Sequence, residues 1–281
     1  MPATLVAMTS LEVLVIPQWQ GYAVDDRPAR GARAIAAALG RPVHEIEIPA
    51  WSGAPDGGGD VLWLAQIAGN ATAALGWLDA GSPARLLVIG GDCGSDFAPL
   101  TWQAGRPGEL GVLYLDAHAD LNTPASSPSR RFHGMVLRAV LGDAAPAVAA
   151  QVRRPLAPSQ LVMAGTRDLD PPERQFLEAS GIRPWSPAAI ADGRVLAAVQ
   201  AHPARRWHVH LDLDVLDPRD FPEVTIPTPG GPTLEAVTAL LVGLVGVRAL
   251  ASLTITEHVG GEPSARRIVG LVAALERAGW H

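Results

Sequence analysis

GVLYLDAHAD, residues 111–120, decides both the fold and the chemistry of this chain. An apolar run with the character of a buried strand leads straight into Asp116, His118 and Asp120, spaced two apart. If extended geometry continues past Leu115, the two-residue period of a strand puts all three side chains on one side. The plain alternative is a solvated loop after a strand. Three side chains of metal-ligand type directly after a hydrophobic run are uncommon by chance, and that favours a metal site.

Working outward, WHVHLDLDVLDP at 207–218 alternates Val209, Leu211, Leu213 and Val215 with His208, His210, Asp212 and Asp214. Read as a strand, it points both carboxylates to one face. Two like charges side by side in a half-buried setting repel and resist desolvation, and a cation between them removes that cost. His208 and His210, further back on that face, read as structural or supporting residues. VIGGDCGSDF at 88–97 is a strand followed by two glycines that permit a tight turn, presenting Asp92 and Cys93. LASLTITEH at 250–258 is a further strand, ending in Glu257.

The same alternation runs through the chain. Strands are predicted at 11–17, 43–48, 86–89, 111–115, 160–164, 207–213 and 250–256. Helices are predicted at 29–39, 61–78, 134–141, 172–180, 233–245 and 265–278. Strands alternating with helices of ten or more residues imply a three-layer α/β/α fold with a mostly parallel central sheet. No repeat or linker divides the chain; the Gly/Pro-rich stretches 56–60 and 226–232 are loop length. A single α/β domain over 1–281 is the expectation. Ligands of such sheets bind beyond the carboxyl ends of the strands, where these four polar segments emerge.

Composition removes several function classes. Net charge is −6, and Arg130-Arg131, Arg153-Arg154 and Arg205-Arg206 are isolated pairs, so no nucleic-acid surface is expected. All 22 basic residues are arginine, which excludes a lysine Schiff base or a P-loop lysine. The single cysteine, Cys93, excludes an internal disulfide. No apolar run reaches the ~18 residues of a membrane span, and residues 1–10 do not read as a signal peptide. A cytoplasmic location is the expectation. Trp51, Trp63, Trp77 and Trp102 are scattered and read as core or interface residues.

Together, GGDC at 90–93, DAHAD at 116–120, LDLDVLDP at 211–218 and TITEH at 254–258 resemble the ureohydrolases: arginases, agmatinases and formiminoglutamases. The resemblance covers about 86–260. It implies an arginase-like fold and two metal ions, usually manganese. Asp116, Asp120 and Asp212 would bind one ion with position 93; His118, Asp116, Asp212 and Asp214 would bind the other, Asp116 and Asp212 bridging. An oxygen-rich site with one imidazole suits Mn²⁺. The departure is Cys93, where the family usually has histidine. A soft thiolate there predicts weakened manganese binding, exchange for a softer ion, or loss of that ion.

The resemblance further implies metal-assisted attack of water on a guanidinium carbon. Asp120 would accept the proton, Glu257 would pair with the guanidinium, and His133 would shuttle a proton to the leaving amine. The loop 121–133 is most similar to that of arginases: Asn122, Ser127 and Ser129 stand where those enzymes contact an α-carboxylate, and Asp170 where an α-ammonium is met. Asp168 reads as structural. L-Arginine or a close analogue is therefore the expected substrate, giving urea and an amine such as ornithine. Nω-Hydroxy-L-arginine hydrolase, agmatinase or other guanidino-acid hydrolase, and a metal-depleted binding protein are the rivals. A homo-oligomer, trimer or hexamer, is also implied.

Overall fold

Among the described residues seven strands form, all but the edge strand β2 from largely buried apolar runs: β1 (Leu11–Ile16), β2 (His44–Glu45), β3 (Arg85–Gly90), β4 (Leu110–Leu115), β5 (Leu161–Ala164), β6 (Arg206–Asp212) and β7 (Ala249–Thr256). They pair in parallel in the order β2-β1-β3-β7-β6-β4-β5. This computed structural model describes residues 11–50 and 59–281. The signal-peptide reading of 1–10, Trp51 and most of the 56–60 stretch lie outside the described residues.

The helices are α1 (Arg27–Leu39), α2 (Leu64–Gly81), α3 (Phe97–Gly105), α4 (Val136–Val140), α5 (Pro146–Ala149), α6 (Pro171–Ser180), α7 (Pro187–Ala191), α8 (Arg194–Ala201), α9 (Leu234–Val247) and α10 (Glu262–Arg277). On one face of the sheet, side chains of α1, α7, α8, α9 and α10 pack with Leu87, Leu113, Val209, Leu211 and Leu253. On the other, α2, α3 and α4 cover Leu86, Val88, Val112 and Tyr114. The result is a three-layer α/β/α arrangement. None of the described helices is long and apolar enough to cross a membrane.

Three differences from the sequence expectation have physical causes. The strand expected at 43–48 pairs only through His44 and Glu45, because β2 is the sheet edge and both side chains are exposed. Helix α3 was not predicted: residues 97–104 are buried on every side, so no polar stripe marks its period. The helix expected at 134–141 is a 3-10 turn, Phe132–Met135, followed by α4. Trp63 and Trp102 are buried, while Trp77 stacks on His44 with ring centroids 5.1 Å apart.

Two glycines bring the layers into backbone contact. A Cβ on Gly91, just past β3, would lie 1.8 Å from the Gln18 carbonyl oxygen. One on Gly31 in α1 would lie 1.7 Å from the His258 carbonyl oxygen, beyond β7. Both close approaches hold chain segments at the carboxyl edge of the sheet.

Candidate metal centre

Strands β3, β4, β6 and β7 end side by side, and their trailing residues meet there. β4 stops at Leu115, so the extended geometry expected over 116–120 does not persist. The chain turns instead. The Asp116 carboxylate accepts the His118 N–H at 2.7 Å, and Asp120 adopts φ +53°. Similarly, Asp212 is the last residue of β6, while Asp214 belongs to a 3-10 turn, Leu213–Val215. Asp212 Oδ1 accepts the Asp214 N–H at 2.7 Å, and Asp214 Oδ1 accepts the Ala117 N–H at 3.1 Å. Tight turns, not strand alternation, aim these carboxylates. Asp212 and Asp214 are both buried, since β6 lies inside the sheet.

Among the described residues three overlapping donor groups result, each with ligand atoms within 4.8 Å of one another: Cys93, Asp116, Asp120 and His210; Cys93, Asp212 and Glu257; Asp116, His118 and Asp214. Asp116 belongs to two of them. Asp212 stands with Cys93, the neighbour expected for it, and also with Glu257, which was not expected as a donor: Cys93 Sγ donates to Asp212 Oδ2 at 2.9 Å. Sequence reasoning did not place His210 among the donors. Its signal was the two-residue period that sets it on the same strand face as Asp212.

The electrostatics match a cation site. Burial, then mutual repulsion among neighbouring carboxylates, raises Asp116, Asp120 and Asp212 above the ordinary carboxylate range. Burial opposes charge on His118, but Asp214 and Asp116 outweigh it and raise the imidazole. The His118 Nδ1 sits 2.9 Å from Asp214 Oδ2. Burial also disfavours ionised Asp214, yet His118 holds it below the usual range. Burial, then Asp212, pushes the Cys93 thiol well up. Asp116 Oδ2 is buried and has no hydrogen-bond partner. Clustered carboxylates that resist ionisation, with a bare buried oxygen among them, fit a divalent cation.

Glu257 follows β7 in the left-handed region, at φ +67°. Its Oε1 accepts the Cys93 N–H at 2.8 Å and lies 3.4 Å from His133 Nδ1; its Oε2 accepts the Thr225 hydroxyl at 2.5 Å. Thr225 carried no sequence signal. Non-glycine residues at positive φ cost energy and concentrate at functional sites; Asp120 and Glu257 both flank this cluster. Tyr114 donates to Asp120 Oδ2 at 2.6 Å, another partner sequence reading missed.

The rim loops are organised by different bonds. Asn122 is buried and donates to Asp170 Oδ2 at 2.9 Å. Glu173 bridges them: its two oxygens accept the Leu121 N–H at 3.0 Å and the Asp170 N–H at 2.8 Å. Ser127 Oγ accepts the Arg130 N–H and Ser129 Oγ the Arg131 N–H, on the exposed part of the loop. Asp168 is exposed, 3.9 Å from His118. Asp92 faces away from the donor groups, accepting from Gln18, Gly21 and Tyr22. Arg167 clamps the carbonyls of Gly165, Asp214, Thr228 and Pro229, tying three loops together.

Comparison with known proteins agrees with the fold and the motifs. An arginase from Bacillus caldovelox is 37% identical over 155 residues, covering 52% of this chain and 52% of that protein. An arginase from Schizosaccharomyces pombe is 34% identical over 178 residues, covering 59% and 55%. The chain thus spans about half the length of the curated relatives it matches. A solved B. caldovelox arginase, the native structure at pH 5.6, superposes with a TM-score of 0.84 at 26% identity, covering 95% of this chain and 98% of that one. The family model for the Arginase family matches residues 61–259, which include all four strand-end motifs. This chain belongs to the arginase family.

Proposed function

We propose that this chain, as one ureohydrolase-like domain over 1–281, is a dinuclear-metal hydrolase. It cleaves the guanidino group of L-arginine or a close analogue to urea and an amine. The observation that carries the reading is the convergence of Asp116, His118, Asp120, Asp212 and Asp214 in overlapping donor groups beside Glu257. The group Asp116–His118–Asp214, two carboxylates and one imidazole, suits manganese. When bound, divalent cations there neutralise the carboxylates and lower the pKa of water towards neutrality.

The chain's own residues divide the remaining work. Glu257, its oxygens fixed by the Cys93 N–H and the Thr225 hydroxyl, presents a carboxylate to the planar guanidinium. Asp120, held by Tyr114, accepts a proton from the attacking water. His133, beside Glu257, delivers a proton to the leaving amine. Asp170, joined to Asn122, meets the α-ammonium, and Ser127 and Ser129 on the rim meet the α-carboxylate through hydrogen bonds.

The test is urea release from L-arginine, Nω-hydroxy-L-arginine and agmatine by the manganese-loaded protein, with bound metal counted per chain. Turnover of the two amino acids but not agmatine, with about two ions per chain, is expected from a loop that reads an α-carboxylate. Turnover of agmatine alone would replace the substrate assignment, and metal-free protein without any product would overturn the reading.

A further inference from the structure

Among the described residues, His210 is a buried imidazole aimed into the centre that the reaction above leaves unused. It sits in the middle of β6 and is fully buried, stacked on Tyr114 with ring centroids 4.1 Å apart and planes 8° apart. Its Nδ1 lies 3.0 Å from Asp96 Oδ2, and the same oxygen lies 3.0 Å from His208 Nε2. The Asp96 oxygen is placed to accept from both rings, which makes the His210 nitrogen facing it the donor. The second ring nitrogen, Nε2, is then the one left to face the centre.

That Nε2 has no hydrogen-bond partner although it is buried. Facing it at 3.9 Å is Asp116 Oδ2, also buried and unpartnered. Two buried acceptor atoms facing each other at this distance repel; a cation between them turns the repulsion into coordination. Cys93 Sγ and an Asp120 oxygen complete the set of four donors within 4.8 Å.

We propose that His210 Nε2 is a ligand of a transition-metal ion held with Cys93, Asp116 and Asp120, and that Asp96 is the positioning residue that aims it. This rests on the hydrolase reading above but adds a ligand that the sequence motifs leave out. Position 93 holds a thiol where those motifs have an imidazole; His210 supplies an imidazole from the neighbouring strand. One thiolate, one imidazole and two carboxylates form a softer set than Asp116–His118–Asp214, suited to zinc(II) or cobalt(II) more than to manganese. The two halves of the centre therefore prefer different ions. The carboxylate–histidine–metal order from Asp96 through His210 fixes tautomer and ring direction.

Cobalt(II) separates the two sites, because a thiolate-to-cobalt charge-transfer band reports only the ion that touches Cys93. The full-length protein, stripped by chelator, is titrated with cobalt(II) while band intensity and total bound cobalt are followed. Cys93→Ser is expected to abolish the band. His210→Gln is expected to weaken binding at the band-forming site by at least about 100-fold, beyond the effect of losing a supporting residue, and to retain the other cobalt. Asp96→Asn, which keeps the imidazole, is expected to weaken it by about 10–100-fold and to add nothing further in the His210→Gln background. If His210→Gln does not fold, Asp96→Asn carries the test alone. An unchanged band affinity in these variants overturns the proposal while urea release leaves the hydrolase reading intact. Wild-type protein that binds no cobalt at all overturns both.

Discussion

At the scale of single residues, Glu257 joins backbone strain to the role proposed for it. Its φ of +67° is held by bonds from Cys93 and Thr225, so the carboxylate has little freedom before substrate arrives. Glu257 also shares a donor group with Cys93 and Asp212, and Glu257→Gln separates guanidinium pairing from metal ligation. Removing a charge-assisted contact to a guanidinium costs about 1.5–3 kcal/mol, so kcat/KM is expected to fall by roughly one to two orders of magnitude with metal content unchanged. Metal analysis of the same sample checks this; loss of an ion would make Glu257 a ligand instead.

At the scale of elements, the centre depends on how closely the layers approach. Helix α1 meets the segment after β7 at Gly31, where even a methyl group would overlap the His258 carbonyl. That segment follows directly on Glu257, and His258 itself bonds the Gly31 carbonyl through Nδ1 at 3.1 Å. Gly31→Ala is expected to destabilise the fold by about 1–3 kcal/mol, the usual cost of overpacking, and to lower activity by displacing Glu257. Thermal unfolding with activity at a permissive temperature measures both. A neutral result would mean that α1 can slide away without disturbing β7.

At the scale of the whole molecule, the centre opposes folding unless it is filled. Asp116, Asp120 and Asp212 are raised above their ordinary values, and burial, then Glu257, raises Asp92 to about 6. A carboxyl group whose folded pKa is raised favours the folded state when protonated, and that contribution is lost as pH rises through the folded pKa. His118, also raised, contributes fully below its unfolded value and loses that contribution on the alkaline side. Of the lowered groups, Asp214 and Asp96 act below the ordinary carboxylate value, outside this window; His258, lowered by burial, acts inside it with the opposite sign, one group against the four raised carboxyls. The chelator-treated protein is therefore expected to lose stability as pH rises from about 4 to 7. Added divalent metal should raise Tm more at pH 7 than at pH 5, by several degrees, at about 2–4 °C per kcal/mol for a chain near this size. Equal metal-induced shifts at both pH values would show that these carboxylates are not linked to the ion.

Periodicity in the sequence was enough for the strand–helix alternation, the parallel sheet and the placing of four polar segments at strand ends. A parallel strand buried on both faces must be written as a continuous apolar run, and whatever polar residue follows it emerges at the carboxyl edge. The motif residues of the centre were legible for that reason, as were His133 and Glu257 through the family resemblance. The turns that aim Asp120 and Asp214, the helix hidden in 97–105 and the grouping of donors were decided only by tertiary structure. A wholly buried helix carries no polar stripe, and a ligand set is a statement about distances between strands far apart in the chain. His210 shows the limit most clearly. Its place on the Asp212 face could be read from spacing, but its unpartnered nitrogen exists only because Asp96, Tyr114 and Asp116 close around it.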